Sequence, residues 1–77
     1  MNYHRQCVLS HKIGDGEEVK VAWIPEKFAV KGKYLELKED DGWENGWQVM
    51  EVGVRQASEA VRERSLDYRN QRKASDV

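Results

Sequence analysis

The sequence is poor in cysteine and has no long apolar run, and each shortage excludes a class of protein. Cys7 is the only cysteine, so no internal disulfide can form, which excludes a disulfide-stabilised secreted scaffold and fits a reducing compartment. The apolar runs span only a few residues, too few to cross a membrane, and residues 1–6 lack the apolar core of a signal peptide. These features predict a cytoplasmic protein without a membrane partner.

The composition is that of a small globular protein with a very polar surface. Hydrophobic residues make up 39% and charged residues 35% of the 77 residues, which is not typical of a disordered chain. A chain of this length has room for one domain, and it buries barely enough surface to offset its conformational entropy. We therefore expect a single domain, 1–77, in which the core needs every large apolar side chain.

Two turn dipeptides, each followed by a tryptophan, stand between two runs of alternating apolar residues. Asp41-Gly42 and Asn45-Gly46 supply the positive φ that tight hairpin turns need. Residues 40–47 therefore predict a chain reversal with a strand on either side.

Alternating apolar residues predict four strands in the body of the chain, residues 1–55. The first two, 6–13 and 19–24, flank a flexible Gly-Asp-Gly turn and form a hairpin, and a third follows at 33–38. The longest strand, 46–54, has apolar side chains on both faces, so both faces need at least partial cover. Closure into a small barrel, or a helix laid across the sheet, would supply that cover.

A helix is predicted over residues 56–73, and residues 74–77 are expected to fray. Ser58 is a suitable N-cap, acidic residues lie near the helix start and basic residues near its end. The predicted fold is thus α+β and mainly β: a small, strongly bent sheet or open barrel of four or five strands, similar to the Src-homology-3 type, followed by one C-terminal helix.

The aromatic residues are the strongest indication of function. Trp43 is expected to be exposed at the tip of the acidic turn, and an exposed tryptophan beside carboxylates is typical of a protein-contact anchor. Alternatively, Trp43 folds back onto Pro25 or Tyr34 as a lid on the barrel. Leu66 lies among basic residues on the polar side of the predicted helix. The predicted protein-contact residues are Asp40, Asp41, Trp43, Glu44 and Leu66.

Charge is distributed unevenly along the chain. Residues 1–54 contain seven Lys and Arg against ten Asp and Glu, whereas residues 55–77 contain six against four. Arginine favours bidentate phosphate or carboxylate contacts, so the C-terminal stripe is an alternative site for nucleic acid, although an ordinary solvated helix with internal ion pairs explains it equally well. The residues of this alternative site are Arg62, Arg69, Arg72 and Lys73.

A zinc site near the N-terminus is not expected. His4, Cys7 and His11 are close in sequence, but on an extended strand Cys7 and His11 are roughly 13 Å apart at about 3.3 Å per residue. His4 points to the other face, and a fourth ligand is missing. We therefore predict no metal among these residues.

The acidic turn also lacks the pattern of a metal or catalytic site. Glu39, Asp40, Asp41 and Glu44 do not have the Asp-x-Asp-x-Asp-Gly spacing of a calcium loop. No serine has a partnered His and Asp, and nothing indicates a pocket deep enough to separate the pKa values of paired carboxylates. The sequence therefore predicts a protein that is not an enzyme and has no cofactor.

Five segments carry a resemblance to a known group of proteins. They are VAWIPEKFA (21–29), GK (32–33), LEL (35–37), GWQV (46–49) and YRNQRKASD (68–76). Together they resemble short proteins of tailed bacteriophages, most of which have no settled activity, so no residue role is transferred. The resemblance implies expression in the cytoplasm of an infected bacterium, and a role in virion assembly or on a host or phage macromolecule.

These observations favour non-catalytic binding of another protein. Nucleic-acid binding through the arginine stripe and a structural role in the virion or its assembly are the alternatives. The sequence leaves the oligomeric state open.

Overall fold

The structure, a computed structural model, describes residues 2–64 and 67–70. Its strands are β1 (Tyr3–Ile13), β2 (Gly16–Pro25), β3 (Tyr34–Glu39), β4 (Gly42–Ala57) and β5 (Tyr68–Asn70). A first 3₁₀ turn spans Glu26–Phe28, helix α1 spans Ser58–Val61, and a second 3₁₀ turn spans Arg62–Arg64.

The five strands form one antiparallel sheet in the order β2-β1-β4-β3-β5. Among the residues that the structure describes, β2 and β5 are therefore the edge strands. The prediction of a mainly β fold with one C-terminal helix is confirmed.

The hairpin β1–β2 forms as the Gly-Asp-Gly turn predicts. Ile13 pairs with Gly16, so only Gly14 and Asp15 lie in the loop, and Gly14 has a φ of 56°. A glycine with positive φ at the first central position suits a two-residue hairpin turn. This turn fixes the register of the whole hairpin.

The second turn is shorter than the predicted reversal over residues 40–47. The chain turns at Asp40 and Asp41 alone, and β4 begins at Gly42, so Trp43 lies within a strand and not at a tip. Asn45-Gly46 does not turn the chain. It supplies an extra residue on β4 opposite β3, a β-bulge in which Gly46 has a φ of 87°. Positive φ thus serves a bulge here.

Further irregularities bend β4 where it pairs with β1. Its register shifts between the partners of Arg5 and Cys7 and again between those of Val8 and Leu9. Each bulge bends the strand and increases its twist. The sheet is consequently curved, and Lys20 Nζ of β2 lies 3.6 Å from a carboxylate oxygen on β3, although these strands are not neighbours.

The bulges also change which side chains of β4 face the core. Trp47 and Val49 are fully buried, as their alternation predicts, and Val52 packs against the same core beyond the register shift. Met50 and Val54 remain exposed. The second apolar set of this strand is therefore only partly covered, and its cover decreases towards Val54.

The core lies on the concave face of the curved sheet, and Phe28 of the first 3₁₀ turn packs against it. Val61 brings α1 into contact with the sheet and is also buried. The buried residues of the main cluster are Cys7, Leu9, Ala22, Ile24, Leu35, Leu37, Trp47 and Val49.

The predicted helix over residues 56–73 is much shorter in the structure. Helix α1 covers only Ser58–Val61, a 3₁₀ turn follows at Arg62–Arg64, and Tyr68–Asn70 pairs with β3 as a strand. Ser58 is its first residue and does not cap it; its hydroxyl oxygen is 2.7 Å from His4 Nδ1. The thin apolar stripe explains the difference, because Tyr68 packs against the core from a strand. The predicted frayed tail, 74–77, lies outside the described residues.

Candidate functional site

An acidic depression lies beside the turn between β3 and β4. It is shallow and open, with a volume of about 520 Å³. Asp40, Asp41 and Glu44, which are predicted contact residues, line it together with Glu39. Glu18 comes from β2, on the far side of the curved sheet, and was not expected there. Curvature thus brings together carboxylates that are distant in sequence.

A histidine lies next to this depression. His11 Nδ1 is 4.0 Å from Glu18 Oε1 and 3.9 Å from Glu44 Oε1. Its ring stacks on Trp47, with centroids 4.9 Å apart and an interplanar angle of 23°. Trp47 Nε1 donates a hydrogen bond of 3.0 Å to Glu44 Oε1, so one tryptophan positions both the imidazole and the carboxylate.

Backbone register explains why these side chains meet. His11 pairs with Glu18 across β1–β2 and with Trp47 across β1–β4. Gly46 leaves space for the imidazole, because a Cβ at this position would lie 3.2 Å from His11 Cδ2. The register set by the first turn could have revealed the His11–Glu18 pair from sequence, whereas the approach of Glu44 depends on the bulge.

Trp43 lies on the opposite face of the sheet from the acidic depression. Its ring centroid is 4.1 Å from Arg69 Cζ and 5.5 Å from Lys38 Nζ. Because consecutive residues of a strand project to opposite faces, Trp43 and Glu44 do not share a surface. Trp43 is 37% exposed, and its aromatic face is in contact with cations. Trp43 therefore lies within a strand and not at a turn tip. The alternative, a lid on Pro25 or Tyr34, stays a prediction.

The predicted arginine stripe is divided between different elements. Arg69 lies on β5, stacks on Trp43 and forms an ion pair with the buried Glu36. Arg62 lies in the second 3₁₀ turn, close to Glu59 and Glu63. The helical spacing of Arg62 and Arg69 therefore does not place them on one helix face. The remaining candidates, Leu66, Arg72 and Lys73, lie outside the described residues.

An apolar strip crosses the convex face of the sheet and was not predicted. We define it as Val8, Val19, Val21 and Met50. Val19 and Val21 on β2 are 57% and 60% exposed, Met50 on β4 is 39% exposed, and Val8 on β1 is half-buried between them. Val8 pairs directly with Val21. The expectation that the core needs every large apolar side chain is therefore wrong for Val19, Val21 and Met50.

Two other ionisable groups are shifted by burial. Desolvation raises the pKa of the Cys7 thiol, so its neutral form dominates near neutral pH and the thiol is a poor nucleophile. Desolvation also lowers the pKa of His4. These groups lie away from the acidic depression and do not take part in it.

Comparison of the chain with protein-family models, curated proteins and solved structures finds no match. The resemblance to phage proteins therefore remains a prediction. Within residues 2–64 and 67–70, no helix combines the length and apolar character needed to cross a membrane. Three surfaces are therefore candidates for binding: the acidic depression, the surface formed by Trp43 and Arg69, and the apolar strip.

Proposed function

We propose that this chain is a small non-catalytic module that binds another protein. An extended apolar segment of the partner lies on the apolar strip and pairs with the free edge of β2. The observation that carries this proposal is the exposure of Val19 and Val21 side by side on an edge strand.

The apolar strip is costly for a chain of 77 residues to leave in water. Full burial of a valine side chain contributes about 1.5 kcal/mol or more, and small domains have little stability to spare. The strip is contiguous, because Val8 and Val21 are cross-strand partners and Met50 lies on the next strand. Contiguous exposed apolar surface on a small protein is typical of an interaction site.

The main chain of β2 offers hydrogen bonds at the same positions. Because Ile13 and Gly16 close the hairpin, the alternating antiparallel pattern directs the N–H and C=O groups of Val19 and Val21 away from β1. Among the described residues no strand lies on that side of β2. A partner segment that adds a strand there would form main-chain hydrogen bonds and cover the valines at once.

The charged residues of β2 leave its central valines uncovered, so this edge is only partly protected. Inward-pointing charges often protect edges, and Lys20 does point inward from β2. However, its ammonium group is 3.6 Å from Glu39 Oε1 and 5.0 Å from the Trp47 ring centroid, so its charge is compensated within the sheet. Pro25 limits pairing only at the end of the strand.

Two matched valine variants test the proposal. Val21→Glu places a charge in the apolar strip, whereas Val30→Glu introduces the same charge at a similarly exposed valine, 54% against 60%, outside the sheet. Each protein is immobilised and exposed to nuclease-treated bacterial lysate at about 0.3 M salt, where weak phosphate contacts are largely lost. We expect one protein to be retained by the wild type and by Val30→Glu, and lost with Val21→Glu.

Hydrogen exchange then distinguishes strand addition from other contacts. The retained partner should protect the amides of Val19 and Val21 in the complex, because these groups would form the new hydrogen bonds. Equal retention by both variants, or an unprotected β2 edge in the complex, would contradict the proposal. Light scattering of the free protein shows whether a second copy of the chain occupies the edge instead.

The resemblance to phage proteins indicates where this binding would take place. The partner would be a host or phage macromolecule in the cytoplasm of an infected bacterium, or a component of the virion. Co-purification with phage particles would support the assembly role. The predicted contact residues Asp40, Asp41, Trp43 and Glu44 would then serve as a second contact region, divided between the two faces of the sheet.

Nucleic-acid binding has one supporting observation. Arg69, Lys38 and Trp43 lie together on one exposed surface, and cations combined with an aromatic ring are typical of single-strand binding. The ion pair with Glu36 compensates Arg69 and weakens its attraction for phosphate. Retention of nucleic acid that falls steeply with salt and is lost in Arg69→Gln would favour this function.

A further inference from the structure

We propose that His11, Glu18 and Glu44 form a binding site for a divalent transition-metal ion of the Zn²⁺ type. The site is distinct from the proposed protein-binding strip and does not depend on it. The sequence predicts no metal among residues that are close along the chain, whereas these three residues come from β1, β2 and β4.

The distances between the donor atoms suit a single ion. One nitrogen of His11 and one carboxylate oxygen each of Glu18 and Glu44 all lie within 4.8 Å of one another. An ion equidistant from the three atoms would lie about 2.5 Å or less from each, and side-chain shifts of a few tenths of an ångström would give zinc bond lengths of about 2.0–2.2 Å.

The unsatisfied nitrogen of His11 points to a ligand. His11 Nδ1 is buried and has no hydrogen-bond partner among the described residues. Both carboxylates face it at 3.9–4.0 Å, which is too long for a hydrogen bond but leaves room for an ion between the three groups. A buried polar atom without a partner is uncommon in folded proteins, and a bound cation would satisfy this one.

The surroundings hold two of the ligands in place. Trp47 stacks on the imidazole of His11 and donates its indole N–H to Glu44 Oε1. Each carboxylate oxygen has two lone pairs, so Oε1 can accept this hydrogen bond and bind a metal ion. Outer-shell contacts of this kind are typical of metal sites and restrict ligand orientation.

The ligand set and the local charge select the class of ion. Imidazole favours Zn²⁺ and other later first-row ions over Mg²⁺ and Ca²⁺, which prefer oxygen ligands alone. The other carboxylates of the acidic depression, Glu39, Asp40 and Asp41, add negative potential without being donors themselves. With three protein ligands, water would complete the coordination on the open side, where Glu18 and Glu44 are partly exposed.

Calorimetry with ZnCl₂ tests the site directly. The chain is prepared without a histidine tag and treated with chelator, and the wild type should bind one Zn²⁺ per chain, with excess Mg²⁺ failing to compete. Glu18→Gln keeps the shape of an exposed side chain and should weaken binding at least about tenfold, because a ligand is lost. Glu44→Gln should have a similar effect while still accepting the indole hydrogen bond.

Two carboxylate variants separate a defined site from diffuse attraction. Glu17→Gln removes a charge from the residue next to Glu18, which points to the other face, and Asp41→Asn removes one from the acidic depression outside the cluster. Both should retain Zn²⁺ affinity within about twofold, a change near the scatter expected of a distant surface charge. Absence of stoichiometric Zn²⁺ binding to the wild type, or equal weakening in Glu17→Gln, Asp41→Asn and Glu18→Gln, would overturn the proposal.

An NMR measurement assigns the ligand independently of affinity. Zn²⁺ should shift the Nδ1 resonance of His11 in the wild type and leave the ring of His4 unchanged. A shift confined to His4, or no shift on either ring with bound zinc, would also overturn the proposal. None of these readouts requires the protein partner, so failure of partner capture leaves the metal test intact.

Discussion

Substitution of Gly46 by alanine should destabilise the fold more than substitution of Gly32. Both glycines have a positive φ, 87° and 91°, so an alanine at either position carries a similar backbone strain of about 1–2 kcal/mol. A Cβ at Gly32 has no atom within 4 Å, whereas one at Gly46 lies 3.2 Å from His11 Cδ2. The two variants therefore differ chiefly in one steric contact.

The imidazole of His11 cannot easily move away from this contact. Its ring already stacks on the buried Trp47, so a retreat of a few tenths of an ångström would disturb packing on the other side. Overpacking of this kind adds about 1 kcal/mol or more. We therefore expect Gly46→Ala to lower the free energy of unfolding by about 2–3 kcal/mol, and Gly32→Ala by about 1–2 kcal/mol.

Urea unfolding followed by tryptophan fluorescence measures both losses, and unchanged m-values would show that the comparison is valid. A double-mutant cycle of Gly46→Ala with His11→Ala isolates the contact, and its coupling energy should be about 1 kcal/mol. Equal losses for the two glycine variants, together with a coupling energy near zero, would refute the position assigned to the His11 ring.

Two further predictions concern groups shifted by burial. Desolvation holds the pKa of His4 below its ordinary value of 6.5, so the unfolded chain binds this proton more tightly. Stability should be fully present above pH 6.5 and fall as the pH drops towards the folded pKa; His4→Gln should reduce this loss of melting temperature between about pH 7.5 and 5, and an unchanged pH profile would contradict it. Burial raises the pKa of the Cys7 thiol, so a thiol reagent should label the folded protein more than about a hundredfold more slowly than the urea-unfolded chain. Rapid labelling of the folded protein would show that Cys7 is accessible.

The first hairpin could be predicted because its signals are local. Gly14 supplies the backbone conformation of the turn, and alternation in the flanking residues fixes the strands. Asn45-Gly46 contains an equally good turn signal, yet it forms a bulge because the chain has already reversed at Asp40 and Asp41. A dipeptide gives the sign of φ, but the pairing of the strands decides how that φ is used.

The extent of the C-terminal helix could not be read from capping and charge order. Those signals concern the helix alone, whereas Tyr68 gains contact with the core by joining the sheet as a strand. The same competition separates Arg69 from Arg62 and brings it to Trp43. Tertiary packing thus overrides weak helical preference where the apolar stripe is thin.

The candidate sites also differ in whether neighbouring residues or distant strands form them. The sequence predicts Asp40, Asp41 and Glu44 as contact residues, and they do share a depression. The partnership of Glu44 with His11 and Glu18 requires three strands and a bulge to be in place, and no short motif records it.

The central position of β4 also sets an order in which the molecule can fold. Strands β1 and β2 can form their hairpin as soon as both have left the ribosome. Tyr3 can pair with β4 only after Ala57, its partner there, has been synthesised. During synthesis the second edge of β1 therefore stays open for most of the chain's length, with the core side chains of Cys7 and Leu9 in water. Pairing over such a sequence separation is slow compared with closure of the hairpin, so the nascent protein passes through a stage in which β1 has no partner on the side that later pairs with β4.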